Sequence, residues 1–236
     1  VKGASKSKEA NKSVKPSKKA SKGKSEKVSL RLSLIGNSAR LTVPFTRSAP
    51  ATVFTRGNTL WAAFDTDEEI DEASLKKIKG TIIKGVSNSK FGSLQLLKFS
   101  LQGPLLTSAT GKGTSWVITI GDLVVDPTEP LPLKRGLQKE GGARIVVDVK
   151  GANAVHWITD PESKRKLALV TMSAPARGLI KPQNFVEFSA WPTSHGLVIS
   201  PHSDDLNVDL GLDQVAISRA RGLTLSAGGA TQYKPG

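Results

Sequence analysis

From Val28 onward, apolar and polar residues alternate in short runs that are closed by Gly, Pro, Asn, Asp and Ser. Leu30, Leu32 and Leu34 alternate with Arg31 and Ser33, and Leu41, Val43 and Phe45 repeat the pattern a few residues on. A period of two puts successive side chains on opposite faces of a strand, so the pattern predicts half-buried strands joined by tight turns. The expected fold class is all-β, built from repeated antiparallel hairpin units that are either propeller-like or stacked as β-sandwiches.

Four stretches can be laid over one another, residues 39–65, 94–122, 143–171 and 184–211. Each reads as strand, short loop, strand, tight polar turn, strand. The turns are Arg56-Gly57-Asn58-Thr59, Gly111-Lys112-Gly113-Thr114, Asp160-Pro161-Glu162-Ser163 and Pro201-His202-Ser203-Asp204-Asp205. Such residues reverse a chain because they tolerate positive φ or fix it near about −65°. The starts fall about 41 to 55 residues apart, which suits propeller blades or stacked hairpin units better than a tight solenoid. One short helix interrupts the strands: Asp67 or Asp71 caps a run containing Ile70, Leu75 and Ile78, with Lys76, Lys77 and Lys79 last and Gly80 in the stop position.

The first 27 residues break the pattern. They hold ten lysines against Glu9 and Glu26, so they carry +8 of the chain's net charge of +14, and they contain no aromatic residue. A segment this poor in apolar residues cannot offset the entropy of ordering its backbone, and a disordered N-terminal tail is expected. The division is therefore a tail over 1–27 and an all-β repeat domain over 28–233. Lys12, Lys15, Lys18, Lys19, Lys22 and Lys24 can neutralise the phosphates of nucleic acid or attract another polyanion. Without arginine forks or stacking rings, that binding is non-specific. A linker that keeps the protein soluble is the competing role.

The absence of cysteine removes disulfides, thiolate catalysis and cysteine-ligated zinc. No apolar run reaches the roughly 18 to 20 residues of a membrane-spanning helix, so no transmembrane segment is expected. The chain starts at Val1 and its one methionine is Met172, which points to a processed product or a piece of a longer protein.

Candidate chemistry is sparse. Trp61, Trp116, Trp157 and Trp191 fall one in each proposed unit. They are candidate contacts for a ligand or partner, since an exposed indole supplies stacking area and a donor, but core packing is the commoner use of so large a ring. His195 and His202, with Asp204, Asp205 and Asp209 nearby, match no metal-ligand spacing and are expected to be exposed turn residues. Glu129, Asp148, Glu162 and Glu187 sit near strands without forming an evident catalytic pair, as solvated acids do. There is no GxSxG elbow, and residues 111–115 carry the residue types of a phosphate loop without its order, so they read as a hairpin turn. No cofactor is expected.

The stretch PATVFTRGNTLWAAFD at 50–65, with the acidic short helix after it and SRARGLTLS at 218–226, resembles the β-rich region preceding tetratricopeptide repeats in envelope-associated proteins of alphaproteobacteria. Residues 39–65 are also similar to the small AMIN β-sandwich modules of periplasmic proteins that engage the cell wall. The resemblance implies a location in the periplasm or cell envelope and a non-enzymatic binding or scaffolding role. The partner it implies is an envelope protein or a cell-wall polymer such as peptidoglycan. It transfers no catalytic residue.

Overall fold

The computed structural model describes residues 27–78, 80, 82–122, 128–139 and 141–225. The first half runs β1 (Arg31–Ile35), β2 (Ser38–Pro44), β3 (Ala51–Arg56), β4 (Thr59–Asp65), α1 (Glu72–Lys77), β5 (Ile83–Phe91), β6 (Leu94–Leu101), β7 (Leu106–Lys112) and β8 (Ser115–Gly121). Two-residue loops close its four hairpins, and each begins with a glycine at positive φ: Gly36, Gly57, Gly92 and Gly113. A two-residue loop with positive φ only at its first position is the II′ type, whose twist matches that of the paired strands. These strands form an outer sheet, β1-β2-β8-β7, and an inner run, β3-β4-β6-β5. Leu41, Val43, Ile118 and Ile120 of the outer sheet pack on Leu60, Ala62, Phe64 and Phe99 of the inner one, making a first sandwich core.

The second half repeats that order. After β9 (Glu129–Pro130) come β10 (Leu133–Leu137), β11 (Ala143–Asp148), β12 (Ala152–Thr159), β13 (Lys166–Met172), β14 (Arg177–Gly178), β15 (Gln183–Asn184), β16 (Phe188–Trp191), β17 (Leu197–Pro201), β18 (Leu206–Leu210) and β19 (Gln214–Arg219). The outer sheet is β10-β11-β19-β18, and the inner run is β16-β17-β13 with β12 on the far side of β13. Strand for strand, this is the arrangement of the first half. Ile145, Val147, Val215 and Ile217 face Ala168, Val170, Leu197 and Ile199 across a second core.

The two inner runs meet in a third apolar layer. Phe54, Trp61, Ala63, Leu94 and Leu96, on the faces of β3, β4 and β6 that point away from the first core, pack against Ile158, Leu167, Leu169 and Val198. The runs are also joined along an edge, where Met172 of β13 pairs with Ala51 of β3. Over the described residues the molecule is thus an all-β stack of sandwiches, its large sheets antiparallel and only β9 and β14 paired in parallel, with one short helix.

This corrects the count of repeating units from four hairpin units to two sandwiches. Residues 39–65 and 143–171 are equivalent, each spanning the second to fourth strands of its sandwich. Residues 94–122 correspond to β17, β18 and β19, so their equivalent starts one strand later than residues 184–211. Residues 201–205 are not a hairpin turn, since they carry the chain from β17 in the inner run to β18 in the outer sheet. The helix is capped as expected by Asp71, whose carboxylate accepts from Ala73 N and Ser74 N at 3.1 Å, which satisfies donors left open by the first turn.

Candidate binding face

The outer sheet of the first sandwich has one face on the core and one open. Leu41 and Val43 are buried, so Arg40 and Thr42 on β2 point outward. Pairing then builds two rows across the strands, Arg31, Thr42, Val117 and Thr110 in one, Ser33, Arg40, Thr119 and Ser108 in the next, the second open at Ser33 and Arg40 but buried at Thr119 and Ser108. A third row runs Pro44, Ser115, Lys112. The face therefore carries three exposed cations, Arg31, Arg40 and Lys112, beside the accessible hydroxyls of Ser33, Thr42 and Ser115. None of these rows contains a carboxylate, and among the described residues no acid forms an ion pair with the three cations. Arg40, Thr42, Thr110, Lys112, Ser115 and Val117 line a shallow groove of about 510 Å³ on it.

The corresponding face of the second sandwich follows the same register with different chemistry. Ile145 pairs with Ile217 as Leu41 pairs with Ile118, so Arg144 stands where Arg40 stands. The row equivalent to Arg31, Thr42, Val117 and Thr110 is Lys134, Val146, Ala216 and Asp209. Lys134 is already paired with Asp148 at 2.7 Å. Two acids thus stand on this face, Asp148 paired with Lys134 and Asp209 lining a groove together with Arg144 and Lys139.

The tryptophans do not share a surface. Trp61 is buried between the sandwiches, stacked on Phe54 with centroids 5.3 Å apart. Trp116 is buried beneath the first outer sheet and donates Nε1 to Ala49 O at 2.7 Å. Trp191 is half-buried, with the Arg56 guanidinium 4.4 Å from its ring. Trp157, on strand β12, is 38% exposed, with Lys166 Nζ 4.7 Å from its ring. The tail lysines Lys12, Lys15, Lys18, Lys19, Lys22 and Lys24 lie outside the described residues.

Two expectations fail for stated reasons. His195 is not an exposed turn residue but is fully buried where the sandwiches join. Its Nδ1 accepts from Arg177 N at 3.2 Å and its Nε2 donates to Met172 O at 2.9 Å, while its ring lies 4.5 Å from that of Trp116. Both ring nitrogens are satisfied by backbone in the neutral form. Burial pushes its pKa down to about 4, outweighing the Met172 carbonyl. Glu187 is likewise buried rather than solvated. Burial raises its carboxyl, but bonds from Thr224 N at 2.9 Å and Arg219 Nη1 at 3.4 Å win and hold it below the usual range.

His202 is exposed, close to Ser189 Oγ and Val186 O, so it and His195 are held by separate partners. Among the described residues no group of three His, Asp or Glu side chains is placed to hold a metal ion, and no helix is long and apolar enough to cross a membrane. Residues 111–115 form the end of the β7–β8 hairpin, as expected. No protein-family model matches this chain, and no curated protein matches it. The open cationic face was not evident beforehand, because it needs the β1, β2, β7 and β8 register to bring residues 31, 40 and 112 onto one surface.

Proposed function

We propose that the chain is a non-enzymatic binding or scaffolding module of the bacterial cell envelope, holding a wall polymer or glycan against the open face of its first sandwich. The observation that carries this reading is the set Arg31, Arg40 and Lys112, exposed, without acidic neighbours in their rows, and flanked by Ser33, Thr42 and Ser115. A polymer lying across a flat sheet meets repeated donors without needing an enclosed pocket. The similarity of residues 39–65 to AMIN modules supports the wall as the partner and the periplasm or envelope as the place.

Retention on purified cell-wall sacculi tests it. The full chain and a chain with Lys12, Lys15, Lys18, Lys19, Lys22 and Lys24 changed to Gln are both expected to be retained in moderate salt. Failure of both would overturn the reading. The second reading, polyanion binding through the tail, rests on the +8 charge of residues 1–27. It is favoured if only the tail variant is lost and retention falls steeply with salt.

A further inference from the structure

The structure assigns the open face of β1-β2-β8-β7 to a glycan strand that carries carboxylates, and withholds the same ligand from the equivalent face of the second sandwich. This rests on the binding reading above and gives it a ligand chemistry. Two sheets with the same strand order and the same core pairing differ in what they expose. On the first, no acid among the described residues pairs with Arg31, Arg40 or Lys112. On the second, Lys134 is neutralised by Asp148, and Asp209 takes the row position that Thr110 holds on the first. An anionic strand is therefore attracted to the first face, whereas on the second it meets one cation already neutralised and a repelling carboxylate, Asp209, set in the same groove as Arg144 and Lys139.

Spacing argues for a strand rather than a single sugar. Arg31 is on β1 and Lys112 on β7, three strands away and one outward row along. With strands about 4.8 Å apart and outward residues about 6.8 Å apart, these two backbone positions lie about 16 Å from each other. No monosaccharide spans that length. Arginine forks pair with carboxylates in two parallel bonds, and the groove between Arg40 and Lys112 offers the Thr42 and Ser115 hydroxyls to sugar hydroxyls, with Val117 as the apolar contact for a ring face. The face carries no aromatic residue on which a base could stack, which favours a glycan over single-stranded nucleic acid.

The test uses the full chain and three probes: an oligogalacturonate, in which every sugar bears a carboxylate, a neutral chito-oligosaccharide, and a single-stranded DNA oligonucleotide. The triple variant Arg31→Gln, Arg40→Gln, Lys112→Gln is compared with the second-face pair Lys134→Gln, Arg144→Gln, with melting curves confirming that both fold. The triple variant is expected to weaken oligogalacturonate binding by about tenfold or more, and the second-face pair by less than about twofold. The inference is overturned if both variants lose equally, if neither loses, if the neutral oligosaccharide binds as tightly with the same losses, or if DNA outcompetes the oligogalacturonate through the same three residues. Sacculus retention without oligogalacturonate binding overturns the carboxylate assignment alone. Loss of both overturns the binding reading with it.

Discussion

Lys98 of the first sandwich donates to Asp160 of the second across 2.8 Å, while the same ammonium lies 3.8 Å from the centroid of the Trp61 ring. Both side chains are almost wholly buried, at 11% and 4% exposure. Burial alone would raise the Asp160 pKa, but bonds from Lys98, Ser163 and Glu162 outweigh it and hold the carboxyl at about 2. The pair is a polar crossing of a mostly apolar layer, which Asp65 also bridges, 3.2 Å from His156 Nε2 and accepting from Asn153 Nδ2 at 2.6 Å. Removing one partner of a buried pair leaves the other uncompensated. Lys98→Met is expected to cost about 3 kcal/mol. Asp160→Asn, which keeps the turn bonds to Ser163 and Glu162, is expected to cost about half as much. Urea denaturation of the two variants checks the order.

Acid should unfold the protein in two stages. His195 has its folded pKa near 4, below its unfolded value near 6.5. Between those values the unfolded chain binds the extra proton, so stability falls as pH drops from about 6.5 through 4, by about 3 kcal/mol in all. Asp160, depressed from 3.8 to about 2, adds a second loss of about 2 kcal/mol as pH falls through that window. Denaturant midpoints measured from pH 7 to pH 2 report both, and His195→Gln is expected to flatten the first stage while leaving the second. An unchanged slope above pH 4 in that variant would exclude His195 as its source.

Gly196 and Gly57 separate backbone strain from crowding. Both have positive φ, +77° and +55°, but a Cβ on Gly196 would sit 2.7 Å from Thr52 Oγ1 and 2.8 Å from Val170 O, whereas nothing lies within 4 Å of one on Gly57. Gly57→Ala is expected to cost about 1 kcal/mol, the strain of a left-handed residue. Gly196→Ala must also part β3 from β13 at the seam between sandwiches, where Thr52 donates to Val170 O at 2.7 Å, and should cost about 3 kcal/mol or more. Thermal melting of the two single variants checks the difference.

Much of this architecture was legible in local signals and some of it was not. Alternation and Gly-X turns betray strands and hairpins because both are properties of a few adjacent residues. The helix was legible through Asp71 and its lysines for the same reason. The layer between the sandwiches was missed, yet it leaves a trace: Leu60 to Phe64 and Leu167 to Met172 are nearly unbroken apolar runs, as strands buried on both faces must be. His195 leaves none. Its burial depends on Arg177 N and Met172 O arriving from segments 18 and 23 residues away, and an isolated histidine before a glycine reads as a turn. The cationic face is likewise invisible along the chain, since its three charges are assembled only by strand pairing.

Trp61 and Trp157 should respond very unequally to truncation. Trp61 is 3% exposed and bridges Phe54, Lys98 and the second sandwich, so Trp61→Ala opens a void in the middle layer and is expected to cost about 4 kcal/mol. Trp157 is half in solvent on strand β12, where Trp157→Ala removes only partly buried area and a contact with Lys166, for about 1 kcal/mol. Binding discriminates further. If the ligand sits on the face built by Arg31, Arg40 and Lys112, Trp157→Ala leaves oligogalacturonate affinity unchanged, because β12 belongs to the inner run of the other sandwich. A marked loss of affinity in Trp157→Ala, with melting temperature preserved, would move the site from the cationic sheet to that edge.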